Sequence, residues 1–415
     1  MNEVHTRNYK EFTLRHTGSH CAFFFGVSVF SLAAFAADQP KTTIDSATHG
    51  QPVQSVTFPA ARSTTDVIRG SDLFSFGDSL TVCYGVTPPS GQPGSPCWVD
   101  RFARVKTWTF TNDGQNGTGI NDPGMFGEIV PLIQPASNIK SFTLLCCVND
   151  MRDNLTPPEQ ATWANGVEAA LWWLATPEAN KVRSSSGAVT YAGSWSLPPD
   201  SYSGNMNSTA SNGATASFSV YGTDVVVIPG WQQVNSSTYS ITVDGTTFPT
   251  QNTDAGAYVS IAMNTNYGPG FFHLAGLAAQ THTVVYTCIS ASDGNPCYFI
   301  AGGTSYASYG ASLARSLIVY YGETARLTAD GYNLTTLPNC PLAPCGSPAL
   351  TEIFDRLGRF VVADLANVGL NVVFVAVNAF YTPNSKNTQS DGVHPTAAGD
   401  KLIARAFLNA EKGSH

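Results

Sequence analysis

Two patterns of apolar residues alternate along this chain. Short apolar runs of strand length are followed by Gly, Asn or Asp, and one of them, Val372–Val377, is continuous, as is typical of a strand buried on both faces. Other segments repeat an apolar residue every three or four positions, which is typical of helices that bury one face. The runs predict strands at Leu73–Phe76, Val105–Thr111, Phe142–Val148, Leu317–Tyr321 and Val372–Val377.

The helical pattern predicts three long helices. One carries apolar side chains between Trp163 and Leu174 and stops near Pro177. A second begins at the N-cap signal Ser347-Pro348, and a third lies close to the C-terminus. Strands that alternate with helices in this way predict a three-layer α/β/α architecture around a parallel five-stranded sheet.

The middle of the chain has a different pattern, with many short alternating segments and little helical periodicity. Tyr239–Val243 is one such segment, and Asp244-Gly245, a hairpin turn signal, follows it directly. We therefore expect an all-β sandwich inserted between the third and fourth strands of the α/β domain. The predicted domains are 71–181 and 302–415 for the two α/β parts and 182–301 for the insertion.

The first 70 residues are expected to lie outside these domains. Lys10 and Arg15 precede an apolar run from Cys21 to Ala37, which is typical of an export signal over residues 1–37. Residues 38–70 are polar and are interpreted as a linker or arm. The alternative is an uncleaved anchor, but the apolar run is short for a membrane span. We expect an extracellular or periplasmic protein without a stable span after signal removal.

Composition excludes one class of partner. Charged residues make up 12% of the chain, about half of the usual roughly 25%. The net charge is −8, whereas nucleic-acid binding requires a basic surface. No nucleic-acid partner is therefore expected.

Cysteine usage is consistent with export. The chain has nine cysteines, and Cys21 lies in the predicted signal, which leaves an even number for an oxidising compartment. No histidine lies near a cysteine pair, so no metal site and no cofactor are predicted. Cys146 and Cys147 are adjacent and are either free buried thiols or a vicinal pair. Short separations suggest the pairs Cys83–Cys97, Cys288–Cys297 and Cys340–Cys345.

Two short strings at opposite ends of the chain supply the chemistry. Ser79 follows the first strand, and His394 follows the last strand with Asp391 three residues upstream. In a compact loop, Asp391 can accept a hydrogen bond from the histidine Nδ1–H, which leaves Nε2 to take the proton of Ser79. Because the carboxyl ends of parallel strands meet at one edge of the sheet, these residues are expected to converge there.

These strings resemble the four sequence blocks of the GDSL hydrolases, also called the SGNH superfamily. The resemblance covers roughly residues 70 to 180 and 310 to 410, and it implies a flavodoxin-like sheet and a serine ester hydrolase. Its blocks match Phe76–Leu80, Asn112–Gly117, Cys147–Asp150 and Asp391–Pro395.

The resemblance also implies the roles of individual residues. Ser79, Asp391 and His394 would form the catalytic triad. The backbone N–H groups of Ser79 and Gly117 and the side-chain amide of Asn149 would form the oxyanion hole. One position departs from the family pattern, because Cys147 stands where the third block has glycine.

The predicted insertion is similar to the jelly-roll modules that accompany carbohydrate-active enzymes. Trp195, Tyr202 and Trp231 are candidates for stacking on sugar rings. The alternative is that they are core aromatics of a small sandwich. No calcium-binding loop of recognisable spacing occurs in this segment.

The expected function is hydrolysis of carboxylic esters by a secreted serine enzyme through an acyl-enzyme intermediate. Short acyl esters of the acetyl type on a polysaccharide or glycoside are the leading substrate. Lipid or simple esters are the first alternative. The second alternative is a non-catalytic carbohydrate-binding protein on the same scaffold.

Overall fold

The computed structural model describes residues 71–120, 125–129, 139–196, 207–232, 237–252, 267–291, 295–305, 317–335 and 342–412. The predicted export signal, the linker and Tyr202 lie outside these ranges. Within them, no helix combines the length and the apolar character that a membrane span requires.

Fifteen strands are described, in two sheets of different type. In chain order they are β1 (Leu73–Gly77), β2 (Phe110–Asn112), β3 (Ser141–Leu145), β4 (Lys181–Arg183), β5 (Thr190–Ala192), β6 (Asn207–Thr209), β7 (Thr215–Gln232), β8 (Thr238–Val243), β9 (Thr246–Thr247), β10 (Gln251–Asn252), β11 (Tyr267–Pro269), β12 (Phe272–Ser290), β13 (Cys297–Gly303), β14 (Ile318–Gly322) and β15 (Val372–Val375).

The first sheet is parallel and has the order β2-β1-β3-β14-β15. This confirms the predicted five-stranded parallel sheet. Its strand order changes direction between β1 and β3, and in open sheets of this kind a crevice forms outside the carboxyl ends of the strands at that point. Both β1 and β3 are buried along their whole length, including Ser75 and Thr143, whose hydroxyls hydrogen-bond to each other at 2.8 Å.

Eight α-helices are described around the parallel sheet. The second and eighth pack together, as do the fifth and seventh, which gives a helical layer on each face of the sheet. The helices are α1 (Ser79–Val82), α2 (Trp98–Lys106), α3 (Phe126–Ile129), α4 (Val148–Arg152), α5 (Pro157–Ala175), α6 (Ala329–Asn333), α7 (Pro348–Asn367) and α8 (Ala397–Lys412).

One predicted strand is wrong over half its length. The segment Val105–Thr111 begins in α2, and only its last two residues belong to β2. This part of the segment is helical because Trp98, Val99 and Phe102 bury one helical face, while Val105 is exposed on the other. Thr107 then adopts a left-handed conformation that ends the helix.

The second sheet is antiparallel and is built on two long strands, β7 and β12, which pair along most of their length. It encloses its own apolar core. The predicted hairpin at Asp244-Gly245 is confirmed: both residues have positive φ, and β8 and β9 pair across them. The sheet extends from residue 181 to 303, and the separate domain over 182–301 stays a prediction.

The antiparallel sheet packs against α5. Val226, Ile228 and Ile300 belong to the same apolar core as the parallel sheet and its helices. The indole N–H of Trp172 donates a hydrogen bond to the Ser305 hydroxyl, just beyond β13. A continuous core therefore joins the two sheets.

Three disulfide bonds are described. Cys83–Cys97 and Cys288–Cys297 are the pairs predicted from their separations. Cys146 and Cys147 form a vicinal disulfide, which decides between the two alternatives left open by the sequence. The third predicted pair involves Cys340, which lies outside the described residues.

Candidate active site

Ser79 lies at the turn that joins β1 to α1. Gly77 ends the strand with φ near 151°, and a side chain there would collide with the Leu145 carbonyl and the Thr81 hydroxyl. Only glycine allows so close an approach. The turn leaves Ser79, the first residue of α1, at the carboxyl edge of the sheet with 8% of its surface exposed.

Asp78 connects the ends of the two central strands. Its Oδ1 accepts a hydrogen bond from the Leu80 N–H at 2.9 Å, and its Oδ2 accepts one from the Val148 N–H at 3.2 Å. Burial raises the pKa of Asp78 to about 7. Because both carboxyl oxygens are occupied by backbone donors, Asp78 holds the loops in place.

His394 lies between Ser79 and Asp391. Its Nε2 is 2.9 Å from Ser79 Oγ, and its Nδ1 is 2.6 Å from Asp391 Oδ2. The other oxygen of Asp391 accepts the backbone N–H groups of Val393 and His394. These contacts form one hydrogen-bonded series from the carboxylate to the hydroxyl.

The protonation of this series follows from its partners. Burial alone raises the pKa of Asp391, but hydrogen bonds from the ring and backbone of His394 outweigh burial and lower that pKa to about 2. Asp391 is therefore a carboxylate at neutral pH, and Nδ1 must carry the proton that it accepts. In the neutral ring, Nε2 is then the nitrogen that accepts a hydrogen bond from the Ser79 hydroxyl.

Gly117 and Asn149, two of the three residues that the resemblance assigns to the oxyanion hole, lie close to each other. Asn149 is in the first turn of α4, and its side-chain amide donates to the Thr118 carbonyl at 2.9 Å. Gly117 has φ near 79°, and the space beside its Cα is open for at least 4 Å. The Gln115 N–H donates to the Gly77 carbonyl at 2.8 Å, which holds the Gly117 loop against the end of β1.

Three histidine–aspartate pairs occur in the described residues, and their surroundings differ. His273 Nε2 is 2.9 Å from Asp224, and His282 Nδ1 is 2.6 Å from Asp244. The second nitrogen of His282 faces two backbone carbonyls. In the described contacts, only His394 joins a carboxylate to a serine hydroxyl.

Two residues that the sequence patterns did not single out also border the site. The Tyr84 ring lies 4.7 Å from the His394 ring, centroid to centroid, and is 51% exposed. The Gln389 side chain donates to the carbonyls of Tyr84 and Pro395. One sequence feature could have indicated Tyr84, namely its place in the predicted disulfide loop that follows Ser79. No sequence feature indicated Gln389.

The proposed sugar-stacking residues are described only in part. Trp195 is partly buried, packs on the rings of Tyr191 and Tyr286, and donates its indole N–H to the Ala192 carbonyl. A shallow cavity of about 330 Å³ opens beside Trp195 and Tyr191. Trp231 lies in β7, but its side chain is outside the description, as is Tyr202.

A metal-binding cluster is absent from the described part of the chain. Nowhere in it do three or more histidine, cysteine, aspartate or glutamate side chains come together in a way that would hold an ion.

Comparisons with known proteins give weak likenesses. No protein-family model matches the sequence, and no curated protein matches it. Among solved structures, a two-domain esterase active on acetylated mannans is 12% identical with a TM-score of 0.32, over 57% of this chain and 91% of that chain. A CBM36 carbohydrate-binding module in complex with calcium and xylotriose is 14% identical with a TM-score of 0.21, over 29% and 95%. At such TM-scores, the chain's function has to be judged from its own site.

Proposed function

We propose that this chain is a secreted serine hydrolase that cleaves carboxylic esters through an acyl-enzyme intermediate. The observation that supports this best is the series from Asp391 through His394 to Ser79, with distances of 2.6 and 2.9 Å. A serine hydroxyl is a poor nucleophile until a base removes its proton. His394 Nε2, which contacts the Ser79 hydroxyl, is that base.

In the first half of the reaction, Ser79 Oγ attacks the ester carbonyl while its proton passes to His394 Nε2. The imidazolium that forms is stabilised by Asp391, whose low pKa keeps it ionised. The carbonyl oxygen becomes negatively charged. His394 then gives its proton to the leaving alcohol oxygen as the ester C–O bond breaks, which leaves an acylated Ser79.

In the second half, water takes the place of the alcohol. His394 removes a proton from the water, whose oxygen attacks the acyl carbonyl. The proton then returns to Ser79 Oγ as the acid leaves. The same base and the same oxyanion donors serve both halves.

The oxyanion hole is proposed to consist of the N–H groups of Ser79 and Gly117 and the side-chain amide of Asn149. Two observations support these roles. Gly117 faces open space at a positive φ, where a bound substrate can approach the backbone closely. The Asn149 side chain lies against the Gly117 loop, because its amide donates to the carbonyl of Thr118, the residue after Gly117.

The substrate class is proposed from the surroundings of His394. Because His394 protonates the leaving oxygen, the alcohol must lie beside its ring, where the half-exposed Tyr84 ring also lies. An exposed aromatic face suits a sugar ring. Ser79 and His394 are more than nine-tenths buried, which favours a small acyl group. An acetylated polysaccharide or glycoside fits both features, and a lipid or simple ester is the alternative.

Secretion is part of the proposal. Cys83–Cys97 and Cys288–Cys297 are disulfide bonds within the folded chain, and structural disulfides persist in oxidising compartments.

The enzyme proposal is tested by hydrolysis of p-nitrophenyl acetate. Ser79→Ala should lower kcat by about 10³-fold or more, and His394→Ala should do the same. His273→Ala is the matched control, because His273 also pairs with a carboxylate, and it should keep its activity. Equal rates for wild type and Ser79→Ala would reject the enzyme. Loss in His273→Ala with activity retained in His394→Ala would reject the base assignment.

The substrate is then tested on acetylated xylan, acetylated sugars and p-nitrophenyl esters of increasing chain length. The proposal expects the rate to fall as the acyl chain lengthens. A rate that rises with chain length would favour a lipid substrate.

A second candidate function is carbohydrate binding without turnover, which the cavity beside Tyr191 and Trp195 favours. A pull-down of Ser79→Ala on insoluble polysaccharides separates the two. Binding combined with no Ser79-dependent hydrolysis in the wild type would support the second candidate.

A further inference from the structure

The bond between Cys146 and Cys147 lies directly after the last residue of β3 and directly before α4. Both side chains are fully buried. A disulfide between sequence neighbours closes a small ring that contains the peptide group between them. Such a ring restricts the backbone of both residues.

Cys147 has an unusual backbone conformation. Its φ is 83° and its ψ is 11°, which is the left-handed region. For a residue with a side chain this conformation costs about 1–2 kcal/mol, whereas glycine adopts it readily. A glycine, the residue expected here in the third sequence block, would meet this requirement alone. Cys147 meets it as part of a ring.

The conformation of Cys147 sets the direction in which the chain enters α4. Its carbonyl accepts the Met151 N–H at 3.0 Å, which starts the helix. The next N–H, that of Val148, donates to Asp78, and the next side chain, that of Asn149, donates to Thr118. If Cys147 relaxed to a negative φ, the following peptide group would rotate and both of these contacts would be lost.

We propose that the Cys146–Cys147 disulfide holds Cys147 in the left-handed conformation and thereby positions the side-chain amide of Asn149 for the oxyanion. Cys147 is a positioning residue, because it acts through Asn149 and does not touch the substrate. This inference rests on the proposed ester hydrolysis.

The first experiment removes the bond in two ways that differ only in backbone preference. In Cys146→Ala/Cys147→Ala, residue 147 still has a side chain, so the left-handed conformation remains unfavourable. The kcat of this variant on p-nitrophenyl acetate should fall about 10–100-fold with little change in KM. Cys146→Ala/Cys147→Gly removes the cost and should stay within about threefold of wild type. A glycine variant as impaired as the alanine variant would overturn the proposal, as would an alanine variant with full activity.

The second experiment asks whether the effect passes through Asn149. In an Asn149→Ala background, Cys146→Ala/Cys147→Ala should lower kcat by no more than about twofold further, because the amide to be positioned is gone. A general structural role would instead give the full additional loss. That additive result would reject the positioning role.

Folding and function are kept apart by two controls. Thermal unfolding shows which variants fold. If the alanine variant does not fold, Cys146→Ala/Cys147→Asn replaces it. Asparagine tolerates the left-handed region better than alanine does, and less well than glycine does. The expected order of kcat is then glycine above asparagine, and the reverse order would overturn the proposal. Failure of the proposed function is separate, because Ser79→Ala would then equal wild type.

Discussion

The side-chain amide of Gln389 donates a hydrogen bond to the backbone carbonyl of Tyr84 at 2.7 Å, across a sequence separation of 305 residues. The same amide donates to Pro395, and the Gln389 N–H donates to the His394 carbonyl. Gln389 therefore links the loop that carries His394 to the loop that follows Ser79.

Replacing Gln389 with alanine should misplace His394 relative to Ser79. Misplacement of a reacting group by a fraction of an ångström lowers turnover more than binding, so we expect kcat to fall about tenfold with KM little changed. Steady-state kinetics on p-nitrophenyl acetate measure this. Ser390→Ala is the matched control, because Ser390 is an exposed neighbour, and it should behave as wild type. A change in KM alone would contradict the positioning role of Gln389.

Tyr84 should contribute to binding of the alcohol part of the substrate. Because its exposed ring lies beside His394, Tyr84→Ala should lower kcat/KM about two- to tenfold for esters of ring-shaped alcohols, which corresponds to the roughly 0.5–1.5 kcal/mol of one aromatic contact. Tyr84→Phe keeps the ring and should retain activity. The comparison ester is ethyl acetate, for which Tyr84→Ala should have little effect. An equal loss on both esters would show that Tyr84 acts on His394 instead.

Asn149 should contribute one oxyanion hydrogen bond. Asn149→Ala should lower kcat by about 10²–10³-fold and leave KM nearly unchanged, since the donor acts mainly in the transition state. Asn149→Asp has the same size but no N–H donors, and it should lose as much. An aspartate variant with full activity would show that size, and not donation, is what the site requires of residue 149.

Asp355 should make stability fall as pH rises. Burial, and then the nearby charge of Glu323, raise the pKa of Asp355 from 3.8 to about 7. Between these two pH values the folded state keeps a proton that the unfolded state has released, so stability decreases from about pH 4 to pH 7. Asp355→Asn removes the ionisable group and with it this dependence of stability on pH.

Thermal unfolding from pH 4 to pH 8 checks the Asp355 prediction. The Tm of Asp355→Asn should exceed that of wild type at pH 8, and the difference should shrink towards pH 4. Asp330→Asn, which removes an exposed carboxylate, serves as the control variant. A difference that grew towards low pH would have the wrong sign.

Local patterns in the sequence predicted most of the parallel sheet. The apolar runs at β1 and β3 and the N-cap at Ser347 each depend on residues close in sequence. The segment Val105–Thr111 failed because a helical face and a strand pattern overlap there, and burial of Trp98 and Phe102 decided in favour of the helix.

The three histidine–aspartate pairs differ in whether the sequence reveals them. Asp391 is three residues from His394 and is visible in the sequence. Asp224 and Asp244 also pair with histidines, but they reach His273 and His282 from other strands and turns. A contact between a histidine and a carboxylate therefore does not by itself mark the site, and the contact with the Ser79 hydroxyl sets His394 apart from His273 and His282.

Local sequence supplied the residue types of the site and the short Asp391-to-His394 loop, whose two ends lie three residues apart. The tertiary structure alone decided which groups meet: Ser79 Oγ with His394 Nε2, and Gln389 with Tyr84. The physical reason is that strand order and crossovers bring together loops more than three hundred residues apart. No short-range pattern records such a contact.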